Sequence, residues 1–307
     1  MDKVLYIVNP ASNGGAGMKV WQRFNRQLPT PVPAQDVLFT DGPDHGSQLA
    51  SAARGYNLIV AVGGDGTVGE VISGILANQS DDPAPALAVL PTGTGNDIAR
   101  QVGAYPLQKA ITVLQNKRPK FYDLIAVDCQ GDDGPKRRYA FVYGTAGFSA
   151  VVKFSPWMKR YLGTTIGTYV AMILALLDFD PPKLTITWDG GHYSGTLWMA
   201  IAANCEYAGG ASIRLAPGAK TDDGVLDLLI IPAKSKPLML ATLLPKIPNG
   251  RHINEPGVQF FRGTTMTIEA DRPVLVEVDG DVFGRTPATF KVCPKALRVL
   301  SDWSDCR

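Results

Sequence analysis

No lysine among the 307 residues of the chain follows a glycine, which excludes the Gly-Lys-Ser/Thr phosphate loop. Neither GxSxG nor HExxH occurs, so acyl hydrolase and zinc protease chemistry lack their usual carriers. The first loop after a strand also lacks GxGxxG with an acidic ribose partner. Only four cysteines are present, Cys129, Cys205, Cys293 and Cys306. They are widely spaced and form no CxxC, so neither a disulfide framework nor a zinc cluster is indicated, and a reducing cytosol is the expected compartment. The three histidines, His45, His192 and His252, lie in turn-like contexts and read as surface residues. Charge of one sign is lacking too. Lys plus Arg number 30 against 28 Asp plus Glu, which leaves no electrostatic footprint for nucleic acid. The longest apolar run, YVAMILALL at 169–177, falls short of the roughly 20 residues a spanning helix needs. The opening MDKVLYIVNP enters a strand rather than the apolar core of a signal peptide. What is abundant is glycine (32) and proline (23), the residues of frequent turns. With 45% hydrophobic and 19% charged residues, a folded chain of two domains is expected.

Residues 1–127 alternate apolar runs (4–8, 58–62, 87–90, 124–127) with helix-compatible segments (18–28, 46–54, 68–77, 96–102, 107–116), the rhythm of a parallel sheet flanked by helices. After residue 128 short β-prone runs at 139–143, 184–188, 195–203, 225–231, 264–269, 274–278 and 296–300 are separated by Gly, Pro, Asp and Asn. That pattern suits an antiparallel sandwich or barrel. Helices are expected at 164–177 and near 238–244, and QGDDGPKRR at 130–138 reads as a linker or a hairpin tip. The expected division is an α/β domain over 1–127 and a mainly β domain over 128–307, with the last strand, 296–303, a candidate to return to the first.

The most informative stretch is NLIVAVGGDGTVGEVIS, 57–73: a buried strand, a Gly63-Gly64-Asp65-Gly66-Thr67 loop, then a helix. Glycines there let backbone amides approach an anion, and the helix presents its positive end to the same spot. A carboxylate at Asp65 would repel a phosphate unless a divalent cation stands between them, so a metal-bound nucleotide is implied; a glycine-rich turn with Asp65 as helix cap is the bland alternative. A second loop of this kind, Pro91-Thr92-Gly93-Thr94-Gly95-Asn96-Asp97, and a third after the first strand, Asn9 to Gly17, would surround one crevice at the strand ends.

NPASNGGAG, GGDGTVGEV, LPTGTGNDIAR, LAPGAKTDDGVLD and VEVDGD, in this order over essentially the whole chain, resemble the bacterial diacylglycerol kinase family of lipid kinases, relatives of sphingosine, ceramide and NAD kinases. The resemblance implies a nucleotide-binding α/β domain, a β-sandwich domain and ATP in a cleft between them. It implies nucleotide contacts from Asn9, Thr40, the stretch Gly63, Gly64, Asp65, Gly66, Thr67, Val68 and Gly69, and Thr94. It further implies that Asp65, Asp97 and Asp123 organise a magnesium-water network, and that a magnesium is held by Asp223 with the carbonyls of Lys220 and Val225. A general base would come from the Val278-Asp279-Gly280-Asp281 turn, where either Asp279 or Asp281 could accept the hydroxyl proton. A solvated hairpin turn is the alternative for that stretch.

The chain departs from the family pattern in places. The first basic residue after the first-strand Asn-Pro is Lys19, Gly69 replaces an Asn often found after GGDGT, and Tyr169-Val170-Ala171-Met172 lacks a network Lys. The expected acceptor is a lipid alcohol at a membrane surface. Phe154 to Leu162 (FSPWMKRYL) has the mix of aromatic, apolar and basic residues suited to transient peripheral docking. A homodimer is compatible with the sequence. The competing readings are an NAD kinase-like or sugar kinase with a soluble acceptor, and a regulator that binds nucleotide without transferring phosphate.

Overall fold

A computed structural model describes residues 3–77, 84–152 and 155–302, apart from the side chains at 156, 159, 160, 164, 165 and 168. The chain forms two compact units, Met1–Tyr122 with Lys295–Arg307, and Asp123–Pro294.

In the first unit, strands β1 (Val4–Val8), β2 (Val37–Phe39), β3 (Leu58–Gly63) and β4 (Ala86–Pro91) lie in the order β2-β1-β3-β4, every pair parallel. β3 and β4 are buried at every position, so they read as unbroken apolar runs rather than alternating ones. Helices α1 (Ser12–Gln27), α2 (His45–Ala52), α3 (Asp65–Ala77), α4 (Asp97–Gln101) and α5 (Leu107–Asn116) connect the strands or follow them. Asn13, Gly14 and Gly15 are left-handed, so regular helix in α1 begins only beyond Gly15. Tyr6, Trp21 and Phe24 pack as a tilted aromatic cluster that seats α1 on β1.

In the second unit, β5 (Pro119–Gly131) and β6 (Gly134–Ala140) form a hairpin, so 130–138 is its tip and not a linker. The other strands are β7 (Tyr143–Gly147), β8 (Lys183–Trp188), β9 (Gly191–Ala203), β10 (Tyr207–Ala208), β11 (Ile213–Arg214), β12 (Leu226–Pro232), β13 (Gln259–Gly263), β14 (Thr265–Ala270), β15 (Leu275–Val278) and β16 (Asp281–Leu300). Antiparallel pairing runs β9-β7-β15-β16-β14-β8 and back to β9, which closes a ring. Beyond the ring, β12 and β13 extend the sheet from β9. The end of β16 lies in the first unit, where Val299 pairs parallel with Leu87 of β4.

β12 shows why the ring has two cores. Leu226, Leu228 and Ile230 face one apolar cluster with Leu197, Ala200 and Phe290, while Leu229 and Ile231 face a second with Trp198, Ile201 and Phe148. The period of two along the strand divides its side chains between the clusters. The second cluster is covered by α6 (Pro156–Asp178), through Leu176, and by Met239 and Leu243.

Four local expectations need correction. Residues 139–143 are not one strand: β6 ends at Ala140 and β7 starts at Tyr143, because the amides of Phe141, Val142 and Tyr143 donate to the Asp279 carboxylate. The helix expected at 164–177 starts earlier, at Pro156, and is kinked where Gly163 takes φ 71°. Residues 238–244 are not a regular α-helix but a π-helical turn, Met239–Leu243, leading into a 3₁₀ segment, Leu244–Asn249, whose Pro248 has no N–H for an α-helical bond. His252 is buried, at 2% exposure, with Nε2 3.0 Å from the Leu215 carbonyl oxygen; since that oxygen only accepts, Nε2 carries the proton.

Candidate active site

In the first unit the three glycine loops meet at the ends of the parallel strands. Thr92 N donates to the Gly63 oxygen (2.9 Å), Asn9 Nδ2 to Thr67 Oγ1 (2.9 Å), and the Ser12 and Thr92 hydroxyls lie 2.5 Å apart. The backbones of the Gly63–Thr67 and Pro91–Asp97 loops touch. A Cβ on Gly93 would stand 2.6 Å from the Gly64 Cα, and one on Gly64 would stand 3.1 Å from the Gly93 Cα, so neither position admits a side chain without moving a backbone. Asn96 holds its own loop by accepting from Gly93 N and donating to Gly93 O, both at 2.9 Å. Thr40 is buried at the end of β2, its N–H on the Val8 oxygen. Thr94 is exposed on the loop between β4 and α4.

Not all of the stretch 63–69 faces outward. Val68 is buried and its N–H closes the first helical bond, to the Gly64 oxygen, while Gly69 is buried with open space where its Cβ would be. The open end of α3 therefore lies at Gly66 and Thr67, where amides of a first helical turn lack intrahelical partners.

Asp65 is explained by a different contact than the sequence suggests. Its carboxylate accepts from the Ile98 N–H at 3.0 Å, with the Asn96 and Asp97 amides also directed at it. It thus caps α4 from 33 residues away and locks two loops together. Burial pushes its pKa up, and the amides pull it back toward the carboxylate. A cation is not needed to account for a carboxylate here.

In the second unit Asp123 is fully buried and organises the turn that carries the expected metal ligands. Its N–H donates to the Thr221 oxygen and its Oδ2 accepts from Gly224 N, both at 2.7 Å. Asp223 accepts from Val225 N at 3.3 Å and stands 3.5 Å from an Arg262 guanidinium nitrogen. The Asp223 carboxylate and the Lys220 and Val225 carbonyls are oxygen donors of the kind a hard divalent cation takes, and in this structure Asp223 faces Arg262. Among the described residues no group of three or more His, Cys, Asp or Glu side chains could hold a metal.

The two candidate bases differ sharply. Asp279, at φ 49°, turns back on the chain: Oδ2 accepts from Phe141 N (2.7 Å), and Oδ1 from Val142 N and Tyr143 N (both 2.9 Å). Asp281, four residues beyond Glu277, has a side chain 53% exposed and 3.6 Å from Arg138. Three amide donors occupy the Asp279 oxygens, whereas the Asp281 carboxylate has only the Arg138 pairing and keeps lone pairs open to a hydroxyl proton.

Sequence reasoning missed Glu277 and Tyr143. Glu277 is 5% exposed, and its Oε1 accepts from the Tyr143 hydroxyl at 2.5 Å. Both line a cavity of about 260 Å³ with Phe148, Met172, Met199, Ile201, Leu215 and Ile231, and with Gly280 and Val282 of the carboxylate turn. The available signal was a lone carboxylate inside the apolar run Val274–Val278, directly before the Asp-Gly turn.

The first unit thus presents glycine loops and a backbone-seated carboxylate at its strand ends, and the second an acidic turn at an apolar cavity. Residues 3–127 match the diacylglycerol kinase catalytic domain, and residues 137–301 the YegS C-terminal NAD kinase beta sandwich-like domain. The chain is 30% identical to a diacylglycerol kinase of Mycobacterium tuberculosis, over 97% of this chain and 94% of that one. Its fold is similar to the crystal structure of a diacylglycerol kinase from Bacillus anthracis, with a TM-score of 0.71, 20% identity and coverage of 99% and 98%. It is more distantly similar to yeast NADH kinase complexed with NADH, with a TM-score of 0.53, 12% identity and coverage of 99% and 84%. The chain belongs to the diacylglycerol kinase family of lipid kinases. It is a phosphotransferase with an alcohol acceptor.

Proposed function

We propose that the enzyme transfers the γ-phosphoryl group of ATP, with Mg2+, to the hydroxyl of diacylglycerol or a similar lipid alcohol. The acceptor oxygen attacks the γ-phosphorus, the bond to the bridging β-γ oxygen breaks with its electron pair leaving on ADP, and the hydroxyl proton passes to a carboxylate. The loops around Asn9, Gly63 to Thr67 and Thr92 to Asn96 supply amides and hydroxyls to the phosphates, with Thr40 and Thr94 at their margin. Asp281 is the proposed base, and Asp279 holds the turn that presents it. Magnesium bound with the nucleotide would offset phosphate charge, and Asp223 with the Lys220 and Val225 carbonyls is the proposed site of a further ion.

The observation that carries the reading is the apolar cavity beside the carboxylate turn, since a water-soluble acceptor needs no such wall. Ala208 lines that cavity and is otherwise buried, so a larger side chain there projects into it. Ala208→Phe is expected to lower kcat/KM for diacylglycerol by about tenfold or more, with ATP affinity by calorimetry and the melting temperature held near wild type. Undiminished diacylglycerol turnover would remove the cavity from the acceptor site.

Reaching a lipid requires contact with a membrane. Six of the twelve exposed large apolar side chains among the described residues lie on α6: Trp157, Tyr161, Ile166, Ile173, Leu174 and Leu177, with Trp157 49% and Tyr161 73% exposed. No helix among the described residues is long and apolar enough to cross a membrane. A face of this composition suits shallow interfacial docking. Phe154 and the Lys159 and Arg160 side chains, which the sequence adds to it, lie outside the described residues. Replacing Trp157, Tyr161 and Leu177 together by serine is expected to weaken cosedimentation with anionic vesicles by about tenfold or more; equal binding would place the membrane contact elsewhere.

A further inference from the structure

We propose that Glu277 is a positioning residue whose Oε2 hydrogen-bonds the acyl carbonyl oxygen neighbouring the acceptor hydroxyl, so that the enzyme selects lipid alcohols carrying an ester or amide over those carrying only ethers. The inference rests on the lipid-kinase reading and names a feature of its acceptor.

Glu277 lines the apolar cavity from β15, on the face opposite the neighbouring Val276 and Val278, which point into the other core. Its two oxygens are not equivalent. Oε1 is clamped by the Tyr143 hydroxyl, while Oε2 is buried with no hydrogen-bond partner. A buried carboxyl oxygen left unmatched is costly in a folded protein and calls for an occupant that supplies the missing partner. Most of the wall is apolar, as the chains of a lipid require, and its other polar side chains are Tyr143, Thr145, Ser149 and His252, so the polar group that meets Glu277 is placed in the polar region of such a molecule, beside its hydroxyl. Gly280 and Val282 line the same cavity, which puts the Asp281 turn within the wall that Glu277 shares.

A carbonyl only accepts, so Oε2 must bring the proton. Burial pushes the Glu277 carboxyl up from its ordinary range and the Asp281 charge adds to the rise, against the hydrogen bond from Tyr143 and the nearby Ser149 hydroxyl, which itself donates to Thr145. Of the other titratable groups lining the cavity, Tyr143 is the donor to Oε1, and His252, whose burial lowers its pKa and whose Nε2–H donates to Leu215, favours no cation that would ionise Glu277. Burial favours the neutral carboxyl, and in that form the unpaired Oε2 carries a proton for an acceptor in the cavity.

The test compares 1,2-diacylglycerol with the matched 1,2-dialkylglycerol, presented in the same mixed micelles. Wild-type enzyme is expected to prefer the diester by about tenfold in kcat/KM, the value of one neutral hydrogen bond of about 1.4 kcal/mol. In Glu277→Leu the ratio should fall to about one, through KM rather than kcat. Glu277→Gln keeps an N–H donor together with an oxygen for Tyr143 and should retain most of the preference. Tyr143→Phe, which removes the clamp on Oε1 and leaves Glu277 in place, should reduce the preference part way and covers the case in which Glu277→Leu fails to fold. An equal loss on both lipids, or a ratio unchanged in Glu277→Leu and Tyr143→Phe, would overturn the assignment. Turnover of both lipids by wild type with no ester preference would overturn this inference alone. Turnover of neither would remove glycerolipids as acceptors, and this inference with them.

Discussion

Asp279→Ala is expected to cost about 1.5–3 kcal/mol of stability, the range for hydrogen bonds to a charged group, while Asp281→Asn leaves the unfolding midpoint unchanged and removes activity. The two residues are separated by one glycine, yet their surroundings are opposite. Three main-chain amides, at 141, 142 and 143, converge on the Asp279 carboxylate. Deleting it strands those donors, at about 1–3 kcal/mol for each one kept from water. The φ of 49° at this position adds strain for a residue with a Cβ and no local hydrogen bond. Against a total stability of about 5–15 kcal/mol the loss is large. Asp281 has only a half-exposed pairing with Arg138 at 3.6 Å to lose, worth little in water. As a general base its loss should lower kcat by about 10²–10⁴-fold. Urea unfolding and steady-state kinetics on both variants check the pair. A folded Asp279→Asn without activity, beside a fully active Asp281→Asn, would assign the base to Asp279.

Asp65→Ala carries the second large effect. Its carboxylate meets the amides at the start of α4, so alanine removes a cap shared by two loops. The cap alone is worth about 0.5–2 kcal/mol. The larger consequence is positional: Gly64 and Gly93 are in backbone contact, and a loop freed at Ile98 lets that contact open. Misplacing phosphate-binding groups by about an ångström costs on the order of 100-fold in rate. Asp65→Asn retains an oxygen that can accept the Ile98 N–H, and should recover most of the stability and at least tenfold of the activity relative to alanine. An asparagine variant as stable as wild type and as inactive as alanine would show that the charge itself acts, as a metal-linked role requires.

The contrast between these residues shows what could be read from the sequence. Buried β3 and β4 and the glycine loops after them were legible because the pattern is local: an apolar run, glycines, then a helix. The resemblance to the family implied a general base in the turn at 278–281 and metal ligands at 220–225, which spacing alone does not supply. Roles that depend on distant partners were not legible. Asp65 reads locally as a carboxylate crowding a phosphate, because its partner Ile98 belongs to another loop. Asp279 and Asp281 are alike in sequence, and only the amides arriving from 141–143 distinguish them. His252 resembles a surface residue because the Leu215 carbonyl that receives its proton is 37 positions away. Glu277 looks like the polar member of an alternating strand until β7 brings Tyr143 against it and the cavity closes over its second oxygen.

The central claim is that the acceptor is a lipid alcohol. It is tested most directly by following the γ-phosphate of labelled ATP, with Mg2+, into products when diacylglycerol, monoacylglycerol, ceramide, sphingosine, phosphatidylglycerol and NAD are offered in parallel. The account predicts label in a chloroform-soluble phosphate monoester made from diacylglycerol or a similar lipid, and none in NAD. Label in phosphorylated NAD, or ATP binding with no transfer to any acceptor, would contradict it.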